Sequence, residues 1–277
     1  MSNHLVLVLM YEGVCLEMES GTDRLVAQWE SNARAFAQLI DRQGTPHHRQ
    51  ILNPCVEKLL GSVQGKKLLD AGCGEGYLSR YYAQRGAEVL GVDVSAKLIE
   101  ICRTEAKHEN LRVEYRRGDI CTLDFIRDKE YDIVLCNLVL LNVPNLDNAM
   151  KELTRVLKRG GHLVFSVVHP AFDFYGLGHW EMGEKDPNTG RRRGLYFKVD
   201  NYFDEREYEV SWKTKEGKDF PQPISFFHRT MTRYCQAVIS AGLVLDRLEE
   251  PLPVTDDEFF ERERRIPFFL VIRATKP

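Results

Sequence analysis

Metal-binding cysteine spacings, long apolar runs and a marked excess of one charge are all missing from this 277-residue sequence. Its seven cysteines (15, 55, 73, 102, 121, 136 and 235) form no C-x-x-C pair and no C-x-x-x-C-x-x-C cluster. That argues against a zinc site, an iron–sulfur radical centre and a disulfide framework, so no metal is expected. Reduced thiols in a cytoplasmic protein are the default. The one apolar run near the start, Leu5 to Met10, is too short to cross a bilayer. It also lacks the basic flank and small-residue cleavage site of a leader. A formal net charge of −3 gives no general attraction to a phosphate backbone. The basic runs Arg191–Arg193 and Arg262–Arg265 are interleaved with acids or turn residues and read as solvated faces. Neither a membrane nor nucleic acid is an expected partner.

What is present is an ordinary globular composition, 43% hydrophobic and 29% charged, long enough for one α/β domain with a cap. The most informative stretch is Lys67-Leu-Leu-Asp-Ala-Gly-Cys-Gly-Glu-Gly76. It reads as a strand, a tight glycine turn and the start of a helix. A second strand, Ala87-Glu-Val-Leu-Gly-Val, then ends at Asp93. Together they make half of a nucleotide-binding α/β unit. Gly72 and Gly74 supply positive φ and let the backbone approach a ligand. Asp93 is placed to accept hydrogen bonds from ribose hydroxyls. The glycines at 72, 74 and 76 depart from the G-x-G-x-x-G of dinucleotide sites. Asp70, two residues earlier, is badly placed for a diphosphate and well placed for an ammonium. S-adenosylmethionine (SAM) carries an ammonium, a sulfonium and a ribose, and no phosphate.

The order of elements fits this reading. A three-to-four repeat over Gly21 to Ile40 predicts an amphipathic helix, and Pro54 to Leu60 continues helically. Helices at Tyr77–Arg85, Lys97–Glu105 and Leu146–Lys158 alternate with strands at Glu88–Val92, Arg112–Tyr115, Tyr131–Cys136 and His162–Val168. Such alternation predicts a mostly parallel sheet covered by helices on both faces. After helix Arg233–Ala241, strands Leu243–Leu248 and Pro267–Ala274 suggest an antiparallel hairpin at the sheet edge. Between lies a segment, 170–232, holding thirteen of the chain's 28 aromatic residues. Glu207–Trp212 and Ile224–His228 predict two strands of a small β-cap there.

The D-x-G-x-G-x-G pattern from Asp70 resembles motif I of the class I SAM-dependent methyltransferases. Three further stretches are similar to that family, in its order. Gly118-Asp119-Ile120 looks like its acidic segment after the third strand, where the carboxylate meets the adenine amino group. Tyr131-Asp-Ile-Val-Leu-Cys-Asn137 looks like its fourth-strand motif, whose last residues line the methyl-donor pocket. Glu152-Leu-Thr-Arg-Val-Leu-Lys-Arg-Gly-Gly161 is similar to the helix exit of the small-molecule "type 11" branch. The resemblance covers about residues 60–170 and implies a Rossmann-like, seven-stranded, mostly parallel sheet with one reversed strand and an aromatic-rich β-cap inserted after the fifth. The chain then divides into an N-terminal extension (1–20), a helical lid (21–60), a SAM-binding core (61–169), a substrate cap (170–232) and a C-terminal helix with edge hairpin (233–277).

The expected cofactor is SAM, leaving as S-adenosylhomocysteine, with contacts from Trp29, Asp70, Gly72, Gly74, Asp93, Asp119, Ile120 and Asn137. Trp29 suits either the core of its helix or a lid over the cofactor. No Asn/Asp-Pro-Pro-Tyr/Phe follows the fourth strand and no Pro-Cys nucleophile is present. Base and glutamine amino methylation and cytosine carbon methylation are thereby disfavoured. Methyl transfer from a sulfonium is an in-line displacement, served by holding donor and acceptor about 3 Å apart in a dry pocket. A base is needed only for an acceptor that must lose a proton. His169, directly after the fifth strand, and His228, at the end of the cap, are the candidates; a buried hydrogen-bonding role is the alternative for each. The expectation is therefore methyl transfer to a small hydrophobic or aromatic metabolite, directed at O, N or C. A protein or peptide methyltransferase, a non-catalytic SAM-binding module and an NAD-dependent oxidoreductase are the alternatives. Any homo-oligomer is assigned to the extension or the cap.

Overall fold

The structure is a computed structural model and describes residues 21–40, 42–187, 190 and 192–277. The extension at 1–20, with the association expected of it, lies outside the described residues. Helix α1 (Gly21–Ile40) and helix α2 (Asn53–Leu60) precede the sheet. Then β1 (Lys67–Ala71), α3 (Tyr77–Gln84), β2 (Glu88–Asp93), α4 (Ala96–His108) and β3 (Glu114–Arg117) follow in alternation. The second half of the alternation is β4 (Tyr131–Asn137), α5 (Leu146–Val156) and β5 (Leu157–Val168). Strands β6 (Gly178–Lys185), β7 (Arg192–Val199), β8 (Glu207–Val210) and β9 (Ile224–Phe227) form the insertion. Helix α6 (Met231–Ser240), β10 (Val244–Glu249) and β11 (Phe269–Thr275) close the chain.

Seven strands make one sheet in the order β10-β11-β5-β4-β1-β2-β3. The pairs β1–β2, β1–β4, β2–β3 and β4–β5 are parallel, and β11 runs antiparallel to both β5 and β10. This is the Rossmann-like sheet with a single reversed strand. Order reverses between β1 and β4, so their carboxyl ends diverge and open a crevice, where ligands bind in such sheets.

Both faces of the sheet are buried, so alternate residues of each central strand enter different cores. Leu69, Val134, Phe165 and Ile272 pack toward α5 and α6, while Leu68, Ile133, Val164 and Val271 pack toward α2 and α3. Asp70 shares the parity of Leu68 and therefore points to the α3 side. Helix α5 ends at Val156, two residues before the expected Lys158, because Leu157 turns extended (ψ 139°). Lys158 is then free to bond Asp132 (Nζ–Oδ1 2.8 Å), whose Oδ2 accepts the Lys67 amide at 2.9 Å.

The insertion contains two hairpins, where one was expected. Strands β8 and β9 pair antiparallel, and so do β6 and β7. The first hairpin has exposed or half-buried residues at nearly every position of both strands. It carries no clean apolar alternation and gave no period-two signal. The β8–β9 hairpin is bound to α1 by side-chain amides. Asn32 exchanges a reciprocal pair of hydrogen bonds with the Gln222 backbone (2.9 and 3.0 Å), and Gln28 Oε1 accepts the Ser225 amide at 3.1 Å. Among the described residues no helix is long and apolar enough to cross a membrane.

Candidate functional site

The turn after β1 is fastened to the end of β2. Gly72 and Cys73 donate their amides to the Val92 carbonyl (2.7 and 2.9 Å), and Gly74 donates to Asp93 Oδ2 at 2.9 Å. Asp93 Oδ1 accepts the Ser95 amide at 3.0 Å, so one carboxylate ties the glycine turn to the start of α4. Ser95 caps that helix by accepting from the Leu98 amide, and donates its hydroxyl to Glu30 of α1 at 2.7 Å. Gly72 is a costly place for any side chain. Its φ is +79°, and a Cβ there would stand 2.4 Å from the side chain of Val139.

Three carboxyl groups are buried around this turn: Asp70, Glu75 and Asp93. Asp70 Oδ2 accepts the Ser79 hydroxyl at 2.6 Å. Burial is the largest influence on its pKa, which rises to about 6 despite that bond. Burial likewise raises Asp93 to about 6, against the opposing amides of Ser95 and Gly74. Glu75 rises to about 8 through burial, although Arg80 lies 3.2 Å away. Arg80 divides its charge between Glu75 and Glu109, and Glu75 Oε1 is buried with no hydrogen-bond partner. Buried acids held above their ordinary range, one with an orphaned oxygen, mark a place completed by a cation. The ammonium and sulfonium of SAM supply that charge, whereas a diphosphate would be repelled. The residues present therefore fit SAM.

These acids open into a cavity of about 890 Å³. That is near the upper end of the ~300–1,000 Å³ typical of small-molecule sites. Beyond the glycine turn the walls become aromatic. Trp29 and Phe36 of α1 meet edge to face at 5.2 Å, and Trp212 stacks on Phe36 at 6.1 Å. On the other side Phe174 stacks on Phe268 at 4.4 Å, and His47 on Phe268 at 4.7 Å. Trp212 Nε1 is buried without an acceptor, a donor unused by the fold.

Trp29, Asp70, Gly72, Gly74, Asp93, Asp119, Ile120 and Asn137 all line this one cavity. Asp119 spends one oxygen on the Cys121 amide (2.8 Å), and Asn137 Oδ1 accepts from Ser166 Oγ at 2.8 Å. The two candidate bases are not brought to it, which corrects the expectation for both. His169 is buried outside the wall, with Nε2 2.8 Å from Glu250 and Nδ1 accepting the Ala171 amide. Burial lowers its pKa, only partly offset by Glu250. His228 is buried against the Tyr202 carbonyl, 2.8 Å from Nε2, with its backbone amide on Arg206. Instead the histidines of the wall are His47, His48 and His179. Sequence reasoning passed over His47, Glu75 and Glu263; the only available signal for Glu75 was its place inside the glycine motif. Among the described residues no three His, Cys, Asp or Glu side chains are grouped to hold a metal ion.

A family model described as a methyltransferase domain matches residues 69–165. The chain is 36% identical over 114 residues to a ubiquinone biosynthesis O-methyltransferase of Bordetella avium, covering 41% of this chain and 47% of that protein. A protein of the same name from Alkalilimnicola ehrlichii is 32% identical over 151 residues, covering 53% and 60% respectively. The chain thus spans about half the length of the curated relatives it matches. A crystal structure of an S-adenosylmethionine-dependent methyltransferase from Mesorhizobium loti superposes with a TM-score of 0.64 at 26% identity, over 85% of this chain and all (100%) of that one. The acid-lined glycine turn, the strand order and these similarities agree: residues 69–165 match a methyltransferase domain, and the chain is similar to S-adenosylmethionine-dependent methyltransferases, whose cofactor is SAM.

Proposed function

We propose that the chain transfers the methyl group of SAM to a small apolar or aromatic metabolite held beneath the cap. The observation that carries this reading is a single cavity with buried acids at one end and aromatic walls at the other. Asp93 binds the ribose hydroxyls, and Asp119 takes the adenine amino group with Ile120 against the ring. Asp70, Glu75 and Asn137 surround the amino-acid end, and Trp29 covers the cofactor. Bound SAM supplies an electrophilic methyl group. The chain's residues hold the acceptor in line with it and keep water out. Apolar walls suit a reaction in which charge disappears, since a dry site favours the less charged transition state. The printed name of the two curated relatives, an O-methyltransferase of ubiquinone biosynthesis, supports a small-molecule acceptor.

Calorimetric titration with SAM and NADH tests the cofactor, and S-adenosylhomocysteine release on a panel of phenols, amines, thiols and carboxylates tests the transfer. Binding of SAM with turnover on an apolar member is the expected result. Binding of NADH and not SAM, or turnover only on peptides, overturns the reading.

A further inference from the structure

Among the wall residues one pair has the geometry of a base and its orienting acid. His47 Nε2 lies 3.0 Å from Glu263 Oε1, and the two residues are 216 positions apart in sequence. Glu263 is buried, and its second oxygen, Oε2, has no hydrogen-bond partner. The imidazole is further fixed by stacking on Phe268 and by edge contacts with Phe259 and Phe260. No hydrogen bond occupies Nδ1 among the described residues. A carboxylate accepting from Nε2–H holds the proton on that nitrogen and leaves the lone pair on Nδ1. The ring sits beside the carboxyl edge of the sheet, because the Phe268 carbonyl accepts the amide of His169, the residue that follows β5. That is the acceptor side of the cavity.

The other wall histidines lack these properties. His48 Nδ1 is already taken by the Thr45 hydroxyl and amide (2.6 and 3.2 Å), and burial lowers its pKa to about 4. His179 is exposed and has no hydrogen-bonding partner among the described residues to fix its tautomer.

We propose that His47, oriented by Glu263, is the general base of this site, and that the acceptor it serves is a phenolic or enolic hydroxyl. The oxygen lone pair forms the new bond to the methyl carbon while the carbon–sulfur bond breaks and its electron pair returns to sulfur. The hydroxyl proton passes to Nδ1, and the imidazolium so formed is stabilised by the Glu263 carboxylate. Proton loss to solvent restores the base. A thiolate or free amine acceptor needs no such group at the methyl-transfer step, so the dyad points to an acceptor that must give up a proton, such as a hydroxyl. Burial raises the pKa of Glu263, but the His47 hydrogen bond and the nearby charges of His47 and Arg262 outweigh it, leaving the acid below its usual range and ionised.

This inference rests on the methyl-transfer reading above, and the test separates the two. The full chain is first titrated with SAM; no binding defeats the earlier reading. With SAM bound, phenols and amines of matched size are compared in wild type, His47→Gln and Glu263→Gln. His47→Gln should lower kcat on a phenol by about 10²–10⁴-fold, with the SAM dissociation constant unchanged within about twofold. Glu263→Gln should move the rising limb of the pH–kcat/KM profile to lower pH, because the imidazolium loses its carboxylate. His48, next in sequence, lies near that imidazole and Arg262, from the segment before β11, lies near Glu263, while Arg49 and Tyr77 of α3 lie against His48. A readout without turnover is the ¹⁵N spectrum of the His47 ring in the S-adenosylhomocysteine complex, which should show a protonated Nε2 and a bare Nδ1. Methylation of amines and no phenol with SAM bound, an unaltered pH profile in both variants, or a protonated Nδ1 at neutral pH overturns the proposal.

Discussion

Asp93 accepts the amide of Gly74 at 2.9 Å while its other oxygen accepts the Ser95 amide, so the carboxylate that faces the cavity also shapes it. Each oxygen retains a second lone pair for a ribose hydroxyl. Asp93→Ala removes the proposed ribose contact and the clasp together. Loss of two charge-assisted hydrogen bonds, each ~1.5–3 kcal/mol, predicts SAM affinity weaker by roughly 100-fold or more. Asp93→Asn, which retains one acceptor oxygen, should lose less. Calorimetry on both variants, with melting curves to separate loss of fold, checks the order.

Asp70 and Asp93 predict opposite pH trends for the empty and the SAM-bound protein. Their folded pKa values, about 6, lie above those of an unfolded chain. A raised acid contributes stability that is complete below its unfolded pKa and is lost as pH rises through its folded value. Across about pH 4 to 6 these two groups therefore destabilise the empty protein progressively. A bound cation reverses the preference, so SAM affinity should increase from pH 5 to 7 with proton release. Asp70→Asn should lack part of both trends. Melting temperatures and calorimetry in buffers of different ionisation heat measure them, and parallel trends would count against a cationic ligand.

The sheet was legible because its strands are bounded by turns and alternate with helical repeats, and the parity of Leu68 and Leu69 fixes which core each enters. The glycine-turn end of the cavity was legible because Asp70, Asp93, Asp119 and Asn137 sit within a few residues of strand ends. The acceptor end was not. His47 becomes interesting only when Glu263 is folded against it from 216 positions away, and neither residue stands in a recognisable motif. His169 drew attention by its place after β5, yet Glu250 and the Ala171 amide hold its ring outside the cavity wall. The β6–β7 hairpin, exposed or half-buried at nearly every position, lacks the alternation that reveals a strand.

Asn32 should prove the fastening between α1 and the β8–β9 hairpin. It is fully buried and bonded both ways to the Gln222 backbone. Asn32→Ala leaves the Gln222 amide and carbonyl without these partners at a partly buried contact, at a cost of up to about 1–3 kcal/mol in all. Asn32→Asp keeps the acceptor but buries a charge without its donor, and should cost at least as much. Urea unfolding gives the stabilities. Faster amide exchange across β8 and β9 than in the central sheet would locate the loss at the cap, and uniform exchange would contradict it.

Gly72 and Val139 offer a cleaner test of how tightly the glycine turn is packed against the loop after β4. Gly72→Ala meets two costs. The left-handed backbone at φ +79° penalises a side chain by roughly 1–2 kcal/mol. The methyl 2.4 Å from Val139 adds about 1–3 kcal/mol of overpacking. Only the second can be relieved by shortening the neighbour. In Gly72→Ala/Val139→Ala the two closest contacts, to the Val139 methyls, are gone and only its Cβ remains, at 3.0 Å, while the backbone term stays, so the double variant should recover much of the packing loss beyond the additive sum. Sites in direct contact couple by ~0.5–3 kcal/mol. A full cycle by urea denaturation reads that coupling directly. Strict additivity would mean that the loop bearing Val139 moves away freely, in which case the turn and the fourth strand do not form one rigid wall.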